Sequence, residues 1–273
     1  MIIGGFRIKH LIIDENKCIG CGLCKQVCIR DNIEIMDKKA VDVESNCFDC
    51  GQCSTLCPTN AISIKAYSNQ IDRVEEYNPD DIPVSYDDLL QFYKQRRTCR
   101  WFKDEKIPLD VIEKLMEAAY YSPNRQNIQD VEFALVEENL DDFIDHVYDI
   151  IRAKEDEFFR IKQVGDYLRD ENRNPKRHPL LWEGQQLLLA FSENKTDAVI
   201  AMTRIELMAY TLGLGGFHSL FIGMAEEVDN DKLMEFFPEI DSNKHMYAAF
   251  VIGIPRVKYR RTRPHKNIKL TVK

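Results

Sequence analysis

Apolar residues recur at helical spacing in several stretches after residue 85. The segment LDVIEKLMEAAYY, residues 109–121, has apolar side chains three or four positions apart and predicts an amphipathic helix. A shorter helix is predicted over residues 87–95, with Ser85 or Asp87 as its cap. Residues 140–163 predict a helix that is strongly charged on one side.

One later stretch has small and apolar residues nearly all round. The segment DAVIAMTRIELMAYTL, residues 197–212, therefore predicts a buried helix, which Gly213 ends. Short apolar runs at 131–136, 187–191 and 247–252 predict buried strands. Residues 165–178 are polar and contain Pro175, which favours a solvent-facing loop, with a lid over a pocket as the alternative.

The pattern also divides the chain. Residues 66–87 carry few apolar positions that could form a core, and Pro79 and Pro83 discourage a continuous helix there. We predict three segments: a small domain over 1–65, an acidic linker over 66–87 and a larger domain over 88–273.

Composition excludes disordered and membrane-spanning classes. The chain has 273 residues, of which 44% are hydrophobic and 30% charged, and no run approaches 18 apolar residues. We therefore expect a cytoplasmic protein without a secretory signal, and no nucleic-acid or membrane partner.

Charge is unevenly distributed along the chain. The formal net charge is -8, and the linker supplies most of it. The tail after Pro255 is basic and contains no acidic residue, which predicts that it binds an anion. Its basic residues are Arg256, Lys258, Arg260, Arg261, Arg263, Lys266, Lys269 and Lys273.

The cysteines reveal an internal duplication. Eight of the nine fall in two CxxCxxCxxxC repeats, and every cysteine of the first repeat has its counterpart 29 residues later. The first repeat is Cys18, Cys21, Cys24 and Cys28, and the second is Cys47, Cys50, Cys53 and Cys57. The offset also relates Gly22 to Gly51.

This spacing is that of bacterial two-cluster ferredoxins, in which the fourth cysteine of each repeat binds the other cluster. It predicts two 4Fe-4S clusters. We call their ligands the first thiol set (Cys18, Cys21, Cys24 and Cys57) and the second thiol set (Cys28, Cys47, Cys50 and Cys53). Pro58 matches the ferredoxins' Cys-Pro ending, whereas Ile29 departs from it.

Disulfides and zinc sites are also compatible with eight clustered cysteines. Four disulfides would need an oxidising compartment, which the absence of an export signal disfavours. Two zinc sites would leave the third regularly spaced cysteine of each repeat without a reason. The ninth cysteine, Cys99, is either a small buried residue or a thiol of lowered pKa between basic neighbours.

A second chemistry-bearing segment is KQRRTCRWF. It presents Arg96, Arg97, Thr98 and Arg100, and guanidinium groups with a hydroxyl can clamp a phosphate. A basic cluster can equally be a solvated face. The clamp needs the fold to bring this segment beside the basic tail.

This larger domain resembles the FMN-dependent nitroreductases. The resemblance rests on QRRTCRWF, the helix LDVIEKLMEAAYYSP, the segment NRQNIQDVEFALV, the later GLGGFHSLFIG and the closing GIPRVKYRR. With its N-terminal repeats, the chain resembles ferredoxin-nitroreductase fusions. The resemblance implies an α+β fold: a small two-cluster ferredoxin domain, then a domain with a central, mainly antiparallel sheet flanked by helices.

The resemblance also implies a site. Arg96, Arg97, Thr98 and Arg100 would hold the FMN phosphate and ribityl chain, together with Lys258 and either Arg260 or Arg261. The flavin ring edge would be lined by Pro123, Asn124, Arg125 and Asn127, and the backbone of Ile222 and Gly223 would approach the ring. The family further implies a homodimer with FMN at the interface. No side chain is assigned a catalytic role, because the flavin carries the chemistry.

Three residues depart from the family pattern. Asn124 and Arg125 replace a small serine, and Asp130 stands where the motif has proline. Arg125 either stabilises negative charge on the flavin or pairs with a carboxylate.

We therefore predict an oxidoreductase that passes electrons from an unidentified donor through two 4Fe-4S clusters to FMN. The flavin would reduce a small conjugated acceptor: a nitroaromatic, a quinone or an enone. One alternative is a non-catalytic electron carrier or redox sensor with a dimerisation domain. Another keeps the flavin but changes the reaction, since relatives of this fold also dehalogenate or degrade flavin.

Overall fold

A computed structural model describes residues 9–44, 46–174 and 178–273, with the backbone alone at 71–72. Contacts within the chain define two compact units. The first unit extends to Pro83 and includes Gln126–Ile128, and the second comprises Val84–Arg125 and Gln129–Lys273. Each unit has its own core.

Short elements make up the first unit. Its strands are β1 (Leu11–Ile13), β2 (Ile33–Met36), β3 (Lys39–Asp42) and β4 (Ile62–Ile64), and its helices are α1 (Leu23–Val27) and α2 (Gln52–Thr55). Strand β1 pairs antiparallel with β4, and β2 pairs antiparallel with β3. A 3-10 segment, Lys65–Arg73, follows β4.

The sequence duplication is visible in this architecture. Gly22 and Gly51 precede α1 and α2 with φ of 81° and 74°, a left-handed conformation that glycine adopts without steric cost. Each glycine turns the chain between the second and third cysteines of its repeat. The offset of 29 residues therefore describes the backbone as well as the cysteines.

The second unit alternates helices and strands. The helices are α3 (Tyr86–Gln95), α4 (Leu109–Tyr120), α5 (Leu140–Ile151), α6 (Phe159–Arg169), α7 (Lys195–Thr211) and α8 (Leu220–Met234). Its strands are β5 (Glu132–Val136), β6 (Gln186–Ser192), β7 (Gly215–His218) and β8 (His245–Gly253). Short 3-10 turns lie at Arg125–Asn127 and Arg152–Lys154.

Within the described residues, the four strands of the second unit form one antiparallel sheet in the order β5-β6-β8-β7. Side chains of β6 alternate between its faces. Leu187, Leu189 and Phe191 join a core that includes residues of α5 and α8, whereas Leu188 and Ala190 join one formed with α4 and α7. Helices thus cover both faces, and the predicted α+β fold with an antiparallel sheet is confirmed.

Most predicted elements of the second unit are confirmed within a residue or two. Helix α3 begins after Ser85, whose side chain accepts a hydrogen bond from Asp88 N at 3.1 Å, so Ser85 is the cap. The helix predicted over 109–121 is α4, and the three predicted strands are β5, β6 and β8.

The prediction over 140–178 was wrong in part. The expected single helix is two helices, α5 and α6, and α6 continues through Gly165 to Arg169. A side chain at Gly165 would overlap Tyr148 Oη and Glu155 Oε1, so glycine here allows α6 to approach α5 closely. Pro175 lies outside the described residues.

The helix predicted as buried all round is α7, and its burial is one-sided. Ala198, Met202 and Ile205 are buried, while Val199 and Met208 are each 41% exposed. The helix ends before Gly213, which has φ of 76°, as predicted. Strand β7 and helix α8 were not predicted, because GLGG was interpreted only as a turn.

Candidate functional site

In the first unit, the eight clustered cysteines surround two cavities in the predicted groups of four. The second thiol set lines one small cavity, together with Leu11 and Ile33. The first thiol set lines the other, together with Ile35 and Ala40. The fourth cysteine of each repeat therefore joins the other repeat's first three. All nine cysteines are described and are free thiols.

Backbone N–H groups point at the sulfur atoms of both sets. Asn32 N lies 3.3 Å from Cys28 Sγ, and Ala61 N lies 3.2 Å from Cys57 Sγ. These two contacts are related by the 29-residue offset. Such N–H donors stabilise sulfur in its anionic, metal-binding form.

Burial shapes the acidity of the thiols. Burial, reinforced by the neighbouring Cys47, Cys50 and Cys28, raises the pKa of Cys53 to about 12. Burial also raises the pKa of Cys24, with smaller contributions from Cys18 and Cys21. Thiols crowded in this way become thiolates when a cation replaces their protons, so the donor sets fit iron-sulfur clusters.

A buried carboxylate lies near the second thiol set. Asp42 Oδ2 accepts hydrogen bonds from the backbone of His10 and Leu11, and its Oδ1 accepts from the Asn32 amide and Glu44 N, all at 2.8–2.9 Å. Burial alone would raise the pKa of Asp42, but these donors outweigh it and lower the pKa below its usual value. Asp42 is therefore a stable buried anion.

In the second unit, the arginine-rich segment runs beside the start of the basic tail. Lys103 N donates to Ile254 O at 2.8 Å, and Arg256 N donates to Trp101 O at 2.9 Å. An antiparallel bridge joins Phe102 and Pro255. The juxtaposition that a phosphate clamp requires is therefore present within one chain.

Further contacts connect this segment to the tail and the sheet. Tyr259 Oη donates to Thr98 O at 3.1 Å, and the Arg97 guanidinium lies 5.3 Å from the centre of the Tyr259 ring. Thr98 bridges Gly216 of β7, which places the segment along the sheet edge. The Arg100 guanidinium lies 5.1 Å from the Phe217 ring.

The predicted arginines differ in their partners. Arg96 Nη1 lies 2.9 Å from Glu206 Oε1, and Glu206 Oε2 lies 3.2 Å from His218 Nε2. Burial would raise the pKa of Glu206, but His218 and Arg96 outweigh it and lower the pKa. Among the described residues, no carboxylate pairs with Arg97 or Arg100, so the positive charge of these two arginines is available to attract an anionic ligand. Lys258, Arg260 and Arg261 are exposed.

The positions that depart from the nitroreductase pattern have structural partners. Arg125 N lies 3.0 Å from both carboxylate oxygens of Asp197, and Arg125 Nη2 lies 3.7 Å from Glu193 Oε2. Arg125 thus has carboxylate neighbours at its backbone and at its side chain, in line with one of its two predicted roles, and a role toward the flavin stays a prediction. Asp130 accepts hydrogen bonds from Ser192 Oγ at 3.1 Å and Glu193 N at 2.7 Å, which fixes the turn between β6 and α7.

The predicted ring-edge residues do not all group together. Pro123 is exposed, and Asn124 Oδ1 accepts from Gln129 N at 3.1 Å. Asn127 belongs to the first unit, where its amide donates to Phe48 O, Asp49 O and Tyr67 Oη at 3.0–3.3 Å.

Ile222 and Gly223 lie in the first turn of α8. Ile222 is fully buried, and a side chain at Gly223 would meet no atom within 4 Å. The backbone at Gly223 is therefore uncovered, which leaves room for a planar group beside it. Gly223 N already donates to Ser219 O at 3.0 Å, so this N–H is not free to bind a ligand. A ligand could only pack against the backbone at this position. The approach of this backbone to a flavin ring stays a prediction.

The segment predicted as a loop or lid borders a further cavity. Tyr167, Leu168, Arg173 and His178 line it with residues of α5. Burial lowers the pKa of His178 to about 4, and its Nδ1 accepts from Leu180 N and Leu181 N. His178 is thus a neutral structural residue.

Asp42 and Glu206 were missed by the sequence analysis. Asp42 lies in a strand of alternating residues, and the residue 29 positions before it is Ile13. Comparison of the two repeats would have shown that a carboxylate replaces an apolar side chain at this position. Glu206 lies within the apolar segment 197–212, where a lone carboxylate calls for a cationic partner.

No helix among the described residues has both the length and the apolar character that crossing a membrane requires.

Two family models match the chain. Residues 93–254 match the nitroreductase family, and residues 17–61 match a 4Fe-4S dicluster domain. No curated protein matches the sequence.

Two solved structures are similar to a large part of the chain. A nitroreductase with bound FMN from Bacteroides fragilis aligns with a TM-score of 0.55 and 17% identity, covering 67% of this chain and 98% of its own. A nitroreductase-like family protein from Bacillus cereus aligns with a TM-score of 0.49 and 16% identity, covering 69% and 95%. At 17% identity, the likeness to the Bacteroides fragilis structure concerns the fold alone.

Proposed function

We propose, from the premise that the chain belongs to the nitroreductase family and is an FMN-dependent oxidoreductase, that two 4Fe-4S clusters in its first unit supply its flavin with electrons. The observation that carries the proposal is the convergence of eight cysteines on two cavities, four to each. The antiparallel pairing of the arginine-rich segment with the tail supports a phosphate anchor for FMN.

The residues divide the work of binding. The first and second thiol sets would each hold one cluster. The phosphate would lie between Arg97, Thr98 and Arg100 on one side and Lys258, Arg260 or Arg261 on the other, because these groups offer charge and hydrogen-bond donors. Arg96, already paired with Glu206, would position the segment. The uncovered backbone at Gly223 would lie against the ring.

When bound, the clusters carry electrons singly and the flavin delivers them in pairs. The overall reaction would take two electrons, one from each of two molecules of a one-electron donor such as a reduced ferredoxin, and two protons from water. It converts a quinone to a quinol, an enone to a saturated ketone, or a nitro group to a nitroso group with release of water. We propose acceptors of this conjugated class.

We further propose that the protein is a homodimer with FMN at the interface, as is common in the family. The exposed apolar side chains of Val199, Met208 and Leu220 would become buried in such a dimer. Light scattering of the FMN-loaded protein should give twice the monomer mass, and a monomer would contradict this proposal.

The relay is tested by breaking either thiol set. Cys18→Ser and Cys47→Ser should each slow the reduction of bound flavin by reduced ferredoxin at least about tenfold, while FMN content stays unchanged. Cys99→Ser is the matched control, because Cys99 is buried in the second unit outside both sets. Stopped-flow absorbance measures the flavin, and iron and acid-labile sulfide assays measure the clusters.

Two outcomes would contradict the proposal. If flavin reduction by ferredoxin survives loss of the clusters, the relay is wrong. If the purified protein contains clusters but neither retains nor binds FMN, the alternative of an electron carrier is correct.

A further inference from the structure

The duplication allows the surroundings of the two thiol sets to be compared position by position. Strands β1 and β3 are equivalent under the 29-residue offset, so Ile13 corresponds to Asp42 and His10 corresponds to Lys39. The backbone contacts follow the same rule: Val43 N donates to Asn32 O at 3.1 Å, and Asp14 N donates to Ala61 O at 2.8 Å. The two halves thus share their frame but not their charges.

A negative charge lies on the side of the second thiol set. The Asn32 amide donates to Asp42 Oδ1 at 2.9 Å, while Asn32 N donates to Cys28 Sγ at 3.3 Å. A single fully buried residue therefore separates the carboxylate from a thiol of this set. Asp42 is 8% exposed, and the donors described above are neutral groups, so its charge is solvated without being cancelled.

A positive charge lies on the side of the first thiol set. Lys39 Nζ donates to Cys18 O at 2.6 Å and to Glu15 O at 2.7 Å. Where the other half has the Asp42 carboxylate, this half has Ile13, a neutral side chain.

Other groups do not reverse this contrast. Asp49, whose Oδ1 lies 2.9 Å from His10 Nδ1, adds an acidic side chain to the second side. Arg30 also borders that cavity: its Nε donates to Asn46 O at 2.8 Å and its guanidinium lies 4.7 Å from the Phe48 ring. Arg30 is exposed and Lys39 half-buried, so solvent screens the charge of Arg30 more strongly. The first cysteine of each repeat accepts a backbone N–H contact, from Ala40 N to Cys18 Sγ at 3.3 Å and from Asp49 N to Cys47 Sγ at 3.4 Å, although these two donors are not related by the offset.

We propose, on the basis of the proposed function, that Asp42 and Lys39 separate the reduction potentials of the two clusters. The cluster on the second thiol set is the harder to reduce, and the cluster on the first set is the easier. Reduction adds one electron and therefore one negative charge, which a buried carboxylate opposes and an ammonium group favours. Electrons consequently pass downhill from the second set to the first.

An EPR-monitored titration of the full cluster-loaded chain with dithionite tests this. Dithionite is oxidised and each cluster gains one electron, without proton transfer. The wild-type protein should show two separate steps. In Asp42→Asn, the equilibrium constant for reducing the lower-potential cluster should rise at least about tenfold. This raises its reduction potential by about 59 mV for one electron, while the potential of the other cluster stays unchanged.

Lys39→Met is the complementary variant and should lower the higher-potential step by a similar amount. Asp37→Asn is the matched control, because Asp37 is an exposed carboxylate in the turn between β2 and β3 and its charge is screened. It should move neither step. If Asp42→Asn does not incorporate iron, Lys39→Met decides the question alone.

The possible failures are distinguishable. A protein without acid-labile sulfide overturns the proposed function and this inference together. A protein with both clusters that titrates in one step overturns the inference alone. So does an Asp42→Asn variant that moves the higher step, or a Lys39→Met variant that moves the lower one.

Discussion

The two units of the chain differ in what stabilises each of them. Among the described residues, the core of the first unit is a small group in which Cys18, Cys24 and Cys53 take part, on two sheets of two short strands each. The second unit has a four-stranded sheet with an apolar core on each face. We therefore expect the stability of the first unit to depend on what its cysteines bind, and that of the second unit to depend on buried apolar surface.

Removal of iron should have the largest effect, because it should unfold one unit and not the other. Chelation under oxidising conditions, followed by reduction of the thiols, should unfold the first unit and leave the second unit folded with its FMN. Hydrogen exchange should show full loss of protection in β1 to β4 and unchanged protection in β6 and β8. Retained protection in the first unit would mean that its apolar core suffices.

A core substitution should weaken the second unit. A side chain at Gly216 would overlap Val251 O and the Phe250 ring, so Gly216→Ala should lower the free energy of unfolding by about 3 kcal/mol. Gly223→Ala is the control, because open space surrounds that position. It should preserve stability but weaken FMN binding if the ring lies there. Urea unfolding and flavin fluorescence measure the two quantities.

The second unit should also respond to acid through His178. Its pKa is about 4 when folded and 6.5 as the ordinary value, so below pH 6.5 the unfolded state binds the proton first. Stability should therefore fall as the pH drops from 6.5 towards 4, by about 2 kcal/mol between pH 7 and pH 5.

His178→Asn should remove this dependence, since asparagine can accept the same N–H bonds without titrating. His265→Asn, in the exposed tail, is the control. Equal pH slopes in wild type and His178→Asn, measured by urea unfolding, would exclude His178 as the cause.

The smallest effect concerns the phosphate anchor. Arg100→Ala should weaken FMN binding about tenfold and leave riboflavin binding unchanged, because only FMN carries the phosphate. Arg152→Ala, which removes an exposed arginine paired with Asp149, should change neither affinity. Equal losses for both flavins would place the phosphate elsewhere.

The features that depend on residues close together in the sequence were predicted best. The ligand sets follow from cysteine spacing and one offset, and helix α4 follows from its periodicity. Asp42 was missed because its donors His10, Leu11 and Asn32 lie 10 to 32 residues away. Strand β7 was missed because glycines indicate a turn, whereas Gly216 is needed for close packing against β8. Asp197, which accepts from the backbone N of Arg125, lies 72 residues away, and no local pattern contains that contact.

The exchange of fourth cysteines between the repeats has one more consequence. Cys28 lies with the cysteines of the second repeat, and Cys57 lies with those of the first. A shortened chain carrying a single repeat would hold three thiols around one cavity and a stranded fourth. It could complete a set of four thiols only by associating with another copy of itself. Because both repeats lie in one chain, each set of four is completed within that chain, without assembly of subunits.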